Sequence, residues 1–321
     1  MNVGKKNIGI IALLVFICVA THLMSENFVT RYNLENVLER TAILAIPAIG
    51  VAFVIITGGI DLSIGSVVCL VGCLTPYLHT ECGYSWPVTL AMMAAACLTI
   101  GLWHGLLITK CRIQPFIVTL CGFLAYRGIA RGILADTEQG FGSGGGMMRD
   151  VINHKVALPG INFALPTTFL IMAFVGAIAA FFLNRTIYGR YLLALGRNET
   201  ATRLSGVRTD RMVIAAYVIS SMAAGLCGLL SILDVNTAAP TDFGNFFELY
   251  AIAGAVLGGC SLRGGSGSIF GAIIGIAIIQ TLRNTINLVD WIPTNIELAV
   301  IGSVILGGAL VDETIRRLPK K

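Results

Sequence analysis

Charge is what this sequence has least of. Asp, Glu, Lys and Arg make up 12% of its 321 residues, against about 25% in an ordinary soluble domain, and the mean hydropathy is +0.83. An ordinary soluble domain is excluded on that ground. Signatures of chemistry are missing as well. No G-x-x-x-x-G-K-[ST] phosphate loop occurs anywhere in the chain, so a nucleotide of the P-loop kind has no cradle here. Four histidines, none in an H-E-x-x-H arrangement, and nine cysteines without one C-x-x-C pair offer no zinc or redox motif. Cys69 and Cys73 share a helix face and read as small apolar packing residues. No nucleophile–base pairing is evident, which leaves an enzyme without support. The basic residues are not interleaved with aromatics, so the net charge of +5 gives no reason to invoke nucleic acid.

What the chain has is apolar length. A helix crossing a hydrocarbon core of about 30 Å needs about 20 mostly apolar residues. Ten candidate stretches occur: Ile8 to Leu23, Thr41 to Thr57, Leu62 to Leu78, Val88 to Thr109, Ile113 to Leu134, Pro166 to Leu183, Met212 to Leu233, Leu249 to Cys260, Ser268 to Leu288 and Ile296 to Val311. The first, although preceded by a basic MNVGKKN, lacks a small-x-small cleavage site and reads as a retained helix. The expected architecture is therefore all-α, a single polytopic membrane bundle over residues 1–321 with about ten transmembrane helices.

Lys and Arg placement orients it, because cytoplasmic loops retain positive charge. With both termini inside, fifteen basic residues lie in inner segments (Lys5, Lys6, Lys110, Arg112, Arg185, Arg190, Arg197, Arg203, Arg208, Arg211, Arg263, Arg316, Arg317, Lys320, Lys321) and four in outer ones (Arg31, Arg40, Arg149, Lys155). Arg127 and Arg131, near the outer end of the fifth stretch, read as snorkelling side chains.

Two apolar runs are interrupted by glycine. TGGIDLSIGS, residues 57–66, places Gly58, Gly59, Asp61 and Ser63 at membrane depth. A broken helix there is tolerated only where protein surrounds it or water fills a cavity, and a carboxylate beside it costs about 2.5 to 3.5 kcal/mol on insertion scales. Asp61 either caps the following helix or contacts a transported molecule, and both hold together without conflict. LGGCSLRGGSGS, residues 257–268, overlays the first motif at an offset of 200, Gly58 on Gly258 and Gly59 on Gly259. Paired breaks of this kind point to a translocation path, with close packing through small residues as the alternative. Gln280, Arg283, Asn284 and Asn287 form one polar stripe on the ninth stretch, suited to binding hydroxyls or to bonding a neighbouring helix. The longest inner loop, residues 184–211, carries a short helical pattern that Asn198 would cap and Gly206 would end. The loop from Asp136 to Leu165, with FGSGGG, is the largest outer segment.

TGGIDLSIGS, QPFIVTL at 114–120, ALGRNETATRLSGV at 194–207 and AVLGGCSLRGGSGSIFGAIIG at 255–275 together resemble, in order and spacing, the permease subunits of bacterial ribose-type monosaccharide ABC importers. The resemblance runs from about Asn36 to the end. This family usually carries a small residue where Arg197 stands, and alanine where Thr200 or Thr202 stands. The resemblance implies a multi-pass protein of the bacterial inner membrane that pairs with a second permease copy or a homologous one. It implies a periplasmic sugar-binding protein as donor, and a separate cytoplasmic ATPase that uses ATP and Mg, with no cofactor on this chain. It also places ATPase coupling on Gly196, Asn198, Glu199, Ser205 and Gly206, and makes Gly58, Gly59, Asp61, Ser63, Gln280, Asn284 and Asn287 candidates for the translocation path. The rivals are an importer permease for another small ligand (a nucleoside, a signalling sugar, a branched-chain amino acid), a secondary transporter using Asp61, and an intramembrane enzyme.

Overall fold

The structure, a computed structural model, describes residues 3–142, 145–157, 159–160, 162–289 and 292–317. Lys320 and Lys321, and Ser143 and Gly144 of the FGSGGG stretch, lie outside the described residues. All ten apolar stretches become helices: α1 (Val3–Met24), α2 (Arg31–Ile56), α3 (Ile64–Pro76), α4 (Trp86–Thr109), α5 (Pro115–Leu134), α7 (Thr167–Arg185), α10 (Thr209–Val235), α11 (Phe247–Leu257), α12 (Ile269–Leu288) and α13 (Glu297–Arg317). Between them lie the short α6 (Gly146–Asn153), α8 (Ile187–Arg197) and α9 (Glu199–Leu204). The molecule is a helical membrane bundle. Among the described residues six helices, α2, α4, α5, α7, α10 and α12, are long and apolar enough to cross a bilayer. The halves α3 and α11, of 13 and 11 residues, span only about 20 and 17 Å at 1.5 Å per residue. A π-helical turn, Tyr77–Glu81, prolongs α3.

One boundary differs usefully from the sequence reading. α2 starts at Arg31, ten residues before the expected Thr41. Asn33, Asn36 and Arg40 looked too polar for a span, but they face a cavity inside the bundle. Beyond them every residue from Thr41 to Ile56 is buried, so α2 is apolar on all sides, as a central helix must be. It packs against α7, α10, α11 and α12.

Close approach is achieved with small residues, because lipid supplies no hydrophobic driving force between helices and contact must come from packing. α10 lies against α2, α3 and α4. A Cβ added at Gly105 of α4 would sit 2.6 Å from the Ile214 Cα of α10, and one at Gly50 of α2 would sit 2.6 Å from the Ala223 Cβ.

The chain alternates between two ends of the bundle. At one, α2 and α11 break, α4 ends and α10 begins, with Lys110 bonded to Asp210 at 2.6 Å. At the other, two short antiparallel ribbons order the connections. β1 (Gln139–Gly140) pairs with β4 (Thr237–Ala238), and β2 (Lys155–Ala157) pairs with β3 (Ala164–Pro166). Glu35 holds the second ribbon to α2, accepting from Arg31 Nε at 2.6 Å, Lys155 Nζ at 3.1 Å and the Ala164 N–H at 3.0 Å. The two arginines of α5 both find partners within the protein. Arg131 makes a bidentate pair with Asp136, both contacts at 2.7 Å. Arg127 donates to the carbonyls of Pro240, Thr241 and Phe243 at 3.1 to 3.3 Å. That loop joins α10 to α11, and its irregular backbone needs donors the bilayer cannot supply.

The packing makes a prediction with an internal control. Gly105→Ala forces α4 and α10 apart and costs about 1–3 kcal/mol, read as a lower melting temperature in detergent. Gly128→Ala on α5, with nothing within 4 Å of the added Cβ, leaves that temperature unchanged or raises it.

Candidate translocation path and coupling surface

The first glycine break is a helix C-cap. α2 closes with the Gly58 N–H on the Ile55 carbonyl at 2.9 Å and the Gly59 N–H on the Val54 carbonyl at 3.0 Å. This is the two-bond Schellman arrangement, with its left-handed residue at Gly58, φ +84°. The chain then runs without regular structure to Ser63. Tyr217 of α10 donates to the Ile60 carbonyl at 3.2 Å, and Thr119 of α5 reaches the same oxygen at 3.3 Å. Asp61 is 1% exposed. Its Oδ1 accepts from the Ser63 N–H at 3.0 Å and from the Ser63 hydroxyl at 2.6 Å, while its Oδ2 accepts from Ser220 of α10 at 2.7 Å. The cap foreseen on a helix starting at Leu62 is displaced: α3 begins at Ile64 with Ser63 as its N-cap and no side-chain bond from it, and Asp61 holds that N-cap residue instead; neither Asp61 nor Ser63 lines either of the two cavities described below. Nearby, Tyr126 bonds His104 at 2.8 Å.

The second break repeats the cap but not the register expected from sequence. α11 closes with the Gly259 N–H on Val256 and the Cys260 N–H on Ala255, at 2.8 and 2.9 Å, with φ +96° at Gly259. Gly58 therefore corresponds to Gly259, not to Gly258, an offset of 201. The overlay at 200 aligned the glycine pairs as letters, whereas the left-handed residue defines the equivalence. The connection to α12 is also longer, and Ser268 caps that helix through its hydroxyl on the Gly271 N–H at 3.1 Å.

The third motif meets the other two. Gly265 donates its N–H to the carbonyl of Ile56, the last residue of α2, at 2.9 Å. Gly196, near the end of α8, sits on the same spot: a Cβ there would collide with the Ile56 carbonyl oxygen and the Gly265 nitrogen. Arg197 adds a bond from Nε to the Gly265 carbonyl at 3.3 Å. Asn198 caps α9 as expected, its Oδ1 accepting from the Ala201 N–H at 2.9 Å. Gly206 ends that helix at φ +84°. Glu199 pairs with Arg203 at 2.8 Å, and Arg203 with Asp210 at 3.1 Å. Ser205 folds its hydroxyl back onto the Ala201 carbonyl at 2.9 Å. Sequence reasoning named Gly196 but missed its partners Ile56, Gly264 and Gly265; the signal was the second glycine pair in LRGGSG.

At the opposite end a cavity of about 620 Å³ opens between α2, α10, α11 and α12. Gln280, Asn284 and Asn287 line it, as do Asn33, Asn36 and Arg40. The stripe bonds a neighbouring helix and also lines the cavity. Asn284 and Asn33 exchange amide bonds at 2.6 and 3.0 Å, and Gln280 donates to the Arg40 carbonyl at 3.5 Å. Arg283 pairs with Glu297 at 2.6 Å and lies 5.2 Å from the Tyr250 ring centre. Phe243 and Phe247 supply apolar wall. The α2 half of this cavity was missed, although Asn33, Asn36 and Arg40 recur at helical spacing.

The geometry at Asp61 predicts a ranking. Asp61→Ala strands three buried donors and costs more than about 3 kcal/mol, while Asp61→Asn keeps an acceptor for the Ser63 N–H and costs less. Melting temperatures in detergent check this, and two variants as stable as the parent would remove the hold of Asp61 on Ser63 from the account.

A family model described as branched-chain amino acid transport system / permease component matches residues 33–308. The ribose import permease protein of Escherichia coli (strain K12) is 37% identical over 307 residues, covering 95% of this chain and 92% of its own. The corresponding protein of Bacillus subtilis (strain 168) is 33% identical, covering 93% and 90%. The xylose transport system permease protein of Escherichia coli (strain K12) is 30% identical over 362 aligned positions, covering 96% and 91%. No solved structure matches. The chain belongs to the family of branched-chain amino acid transport system permease components.

Proposed function

We propose that this chain is the transmembrane permease subunit of an ATP-binding cassette importer that moves a monosaccharide, of the ribose type, across the bacterial inner membrane. It works as a single domain with ten crossings and both termini cytoplasmic. ATP is hydrolysed, with Mg, on a separate cytoplasmic subunit. A periplasmic sugar-binding protein delivers the ligand, and a second permease copy or a homologous permease completes the membrane unit. The relatives named for ribose and xylose support the ligand class, and the excess of basic residues at the break end supports the orientation.

One observation carries the mechanism: Gly196 and Arg197, which lead into α9, are seated on the end of α2 at Ile56 and on Gly265 of the turn between α11 and α12. α2 runs from that junction, at Ile56, to the cavity wall at Arg40 and Asn33; α11 and α12 join the same two places. Ile56 and Arg40 lie about 24 Å apart along α2 at 1.5 Å per residue. A push on α9 from the ATPase is therefore delivered to helices that themselves wall the cavity. At the cavity, amide groups and the charged Arg40, Arg283, Glu138, Asp234 and Asp242 share the wall with apolar Phe243 and Phe247, so a polyol would find donors and acceptors for its hydroxyls and apolar contact for its C–H face. The ligand biases the two states only through a difference in its affinity for them. The outer hairpin held by Glu35 is the surface for the binding protein.

Reconstitution in liposomes with the ATPase and binding protein tests this. Uptake of labelled ribose requires ATP and survives an uncoupler. Asn198→Ala with Glu199→Ala, which removes the α9 cap and its ion pair, lowers uptake several-fold while the permease stays folded. Uptake that persists without ATP and collapses with the uncoupler would make the protein a secondary transporter.

A further inference from the structure

A second cavity, of about 350 Å³, lies at the break end and is separate from both the junction and the polyol cavity. Its walls are Lys110 at the end of α4, Arg203 of α9, and the turn into α10 from Val207 to Arg211. Four cations, Lys110, Arg203, Arg208 and Arg211, face one carboxylate, Asp210. That carboxylate is spent on Lys110 at 2.6 Å and Arg203 at 3.1 Å. Among the described residues the side chains of Arg208 and Arg211 have no hydrogen-bond or ion-pair partner. A concave site with two unengaged guanidinium groups suits a phosphate, which Arg binds in bidentate fashion.

The source of the phosphate follows from position. Lys110 marks the end of a membrane-spanning helix, so the cavity lies at the boundary of the bilayer. Trp103 and Leu106, both exposed, stand seven and four residues before Lys110 on the same helical stripe. An apolar strip thus leads away from the cavity into the depth of the membrane, as a headgroup with acyl chains requires. None of the coupling residues named above, Gly196, Asn198, Glu199, Ser205 and Gly206, lines this cavity, whereas Arg203 turns towards α10 through Asp210. We propose that this cavity binds the headgroup of an anionic phospholipid of the inner leaflet, and that the lipid braces the turn between the coupling helix α9 and α10. Basic pockets at the cytoplasmic ends of membrane helices hold such headgroups through the same charge complementarity. The orientation rests on the reading above, but the binding itself needs neither sugar nor ATPase.

The test uses the full chain in phosphatidylcholine nanodiscs, with Trp86→Phe and Trp291→Phe to leave Trp103 as reporter. Phosphatidylglycerol brominated on its acyl chains quenches Trp103 at mole fractions where brominated phosphatidylcholine does not. Arg208→Gln with Arg211→Gln weakens that preference about 25-fold, roughly fivefold per arginine. Native mass spectrometry of the unaltered chain retains phosphatidylglycerol, and of the double variant does not. Equal quenching by the two lipids, or an unchanged preference in the variant, overturns the proposal. Displacement of the lipid by excess inorganic phosphate would instead make this a soluble-anion site. Loss of ATPase-subunit binding in pure phosphatidylcholine, with lipid preference intact, would make it part of the ATPase surface.

Discussion

Backbone that leaves the helix at membrane depth must find every hydrogen-bond partner within the protein, and this one constraint organises the bundle. Each break closes on itself first, through the paired bonds at Gly58 and Gly59 and at Gly259 and Cys260. What the caps leave over is met by neighbours. Ile56 is met by Gly265, Ile60 by Tyr217 and Thr119, and the carbonyls of Pro240, Thr241 and Phe243 by Arg127. Satisfying these groups fixes where α5, α10 and the 264–265 turn can lie. The glycine motifs are thus stations to which the surrounding helices are fastened, and the flexibility usually credited to glycine is absent from them.

The same constraint explains what the sequence made legible. Apolar runs must be long to cross lipid, so the six long apolar helices among the described residues were found, and the shorter α1, α3, α11 and α13 were found by their apolar composition. Caps are local, so the start of α9 at Asn198 and its end at Gly206 were read from neighbouring residues. What was missed depends on partners distant in the chain. The first ten residues of α2 looked polar because nothing local shows that Asn284, 251 residues away, is there to receive Asn33. Arg127 resembled a snorkelling arginine because its three acceptors belong to a loop more than 110 residues downstream. The register of the second break failed for a different reason. Letter matching cannot tell which of two glycines holds the left-handed conformation, and only the bonds of Gly259 and Cys260 decide it.

The candidate site divides along the same line. Gly58, Gly59, Asp61 and Ser63 were grouped with Gln280, Asn284 and Asn287 because both sets are polar and intramembrane. The structure separates them. In the first set Gly59, Asp61 and Ser63 are buried and Gly58 is exposed, with Asp61 committed to Ser63 and Ser220; the second lines an open cavity. A carboxylate needs three donors as much when it holds a helix start as when it binds a ligand, so residue type alone could not distinguish the roles.

The junction at Gly196 shows why glycine recurs in three segments that are unrelated in sequence position. Because Gly196, Gly264 and Gly265 have no side chains, main chain lies directly on main chain there, with Ile56 and Gly58 as the facing groups. Side chains at such a contact would absorb a displacement by changing rotamer. Backbone joined by a hydrogen bond to the end of a fully buried helix has no such slack, and a packed interior passes strain on because it is dense. Gly196 thus ties the end of α8 to the end of α2 and to the turn before α12, and the far ends of these two helices carry Asn33 and Asn284, whose paired amide bonds join α2 to α12 a second time at the cavity wall.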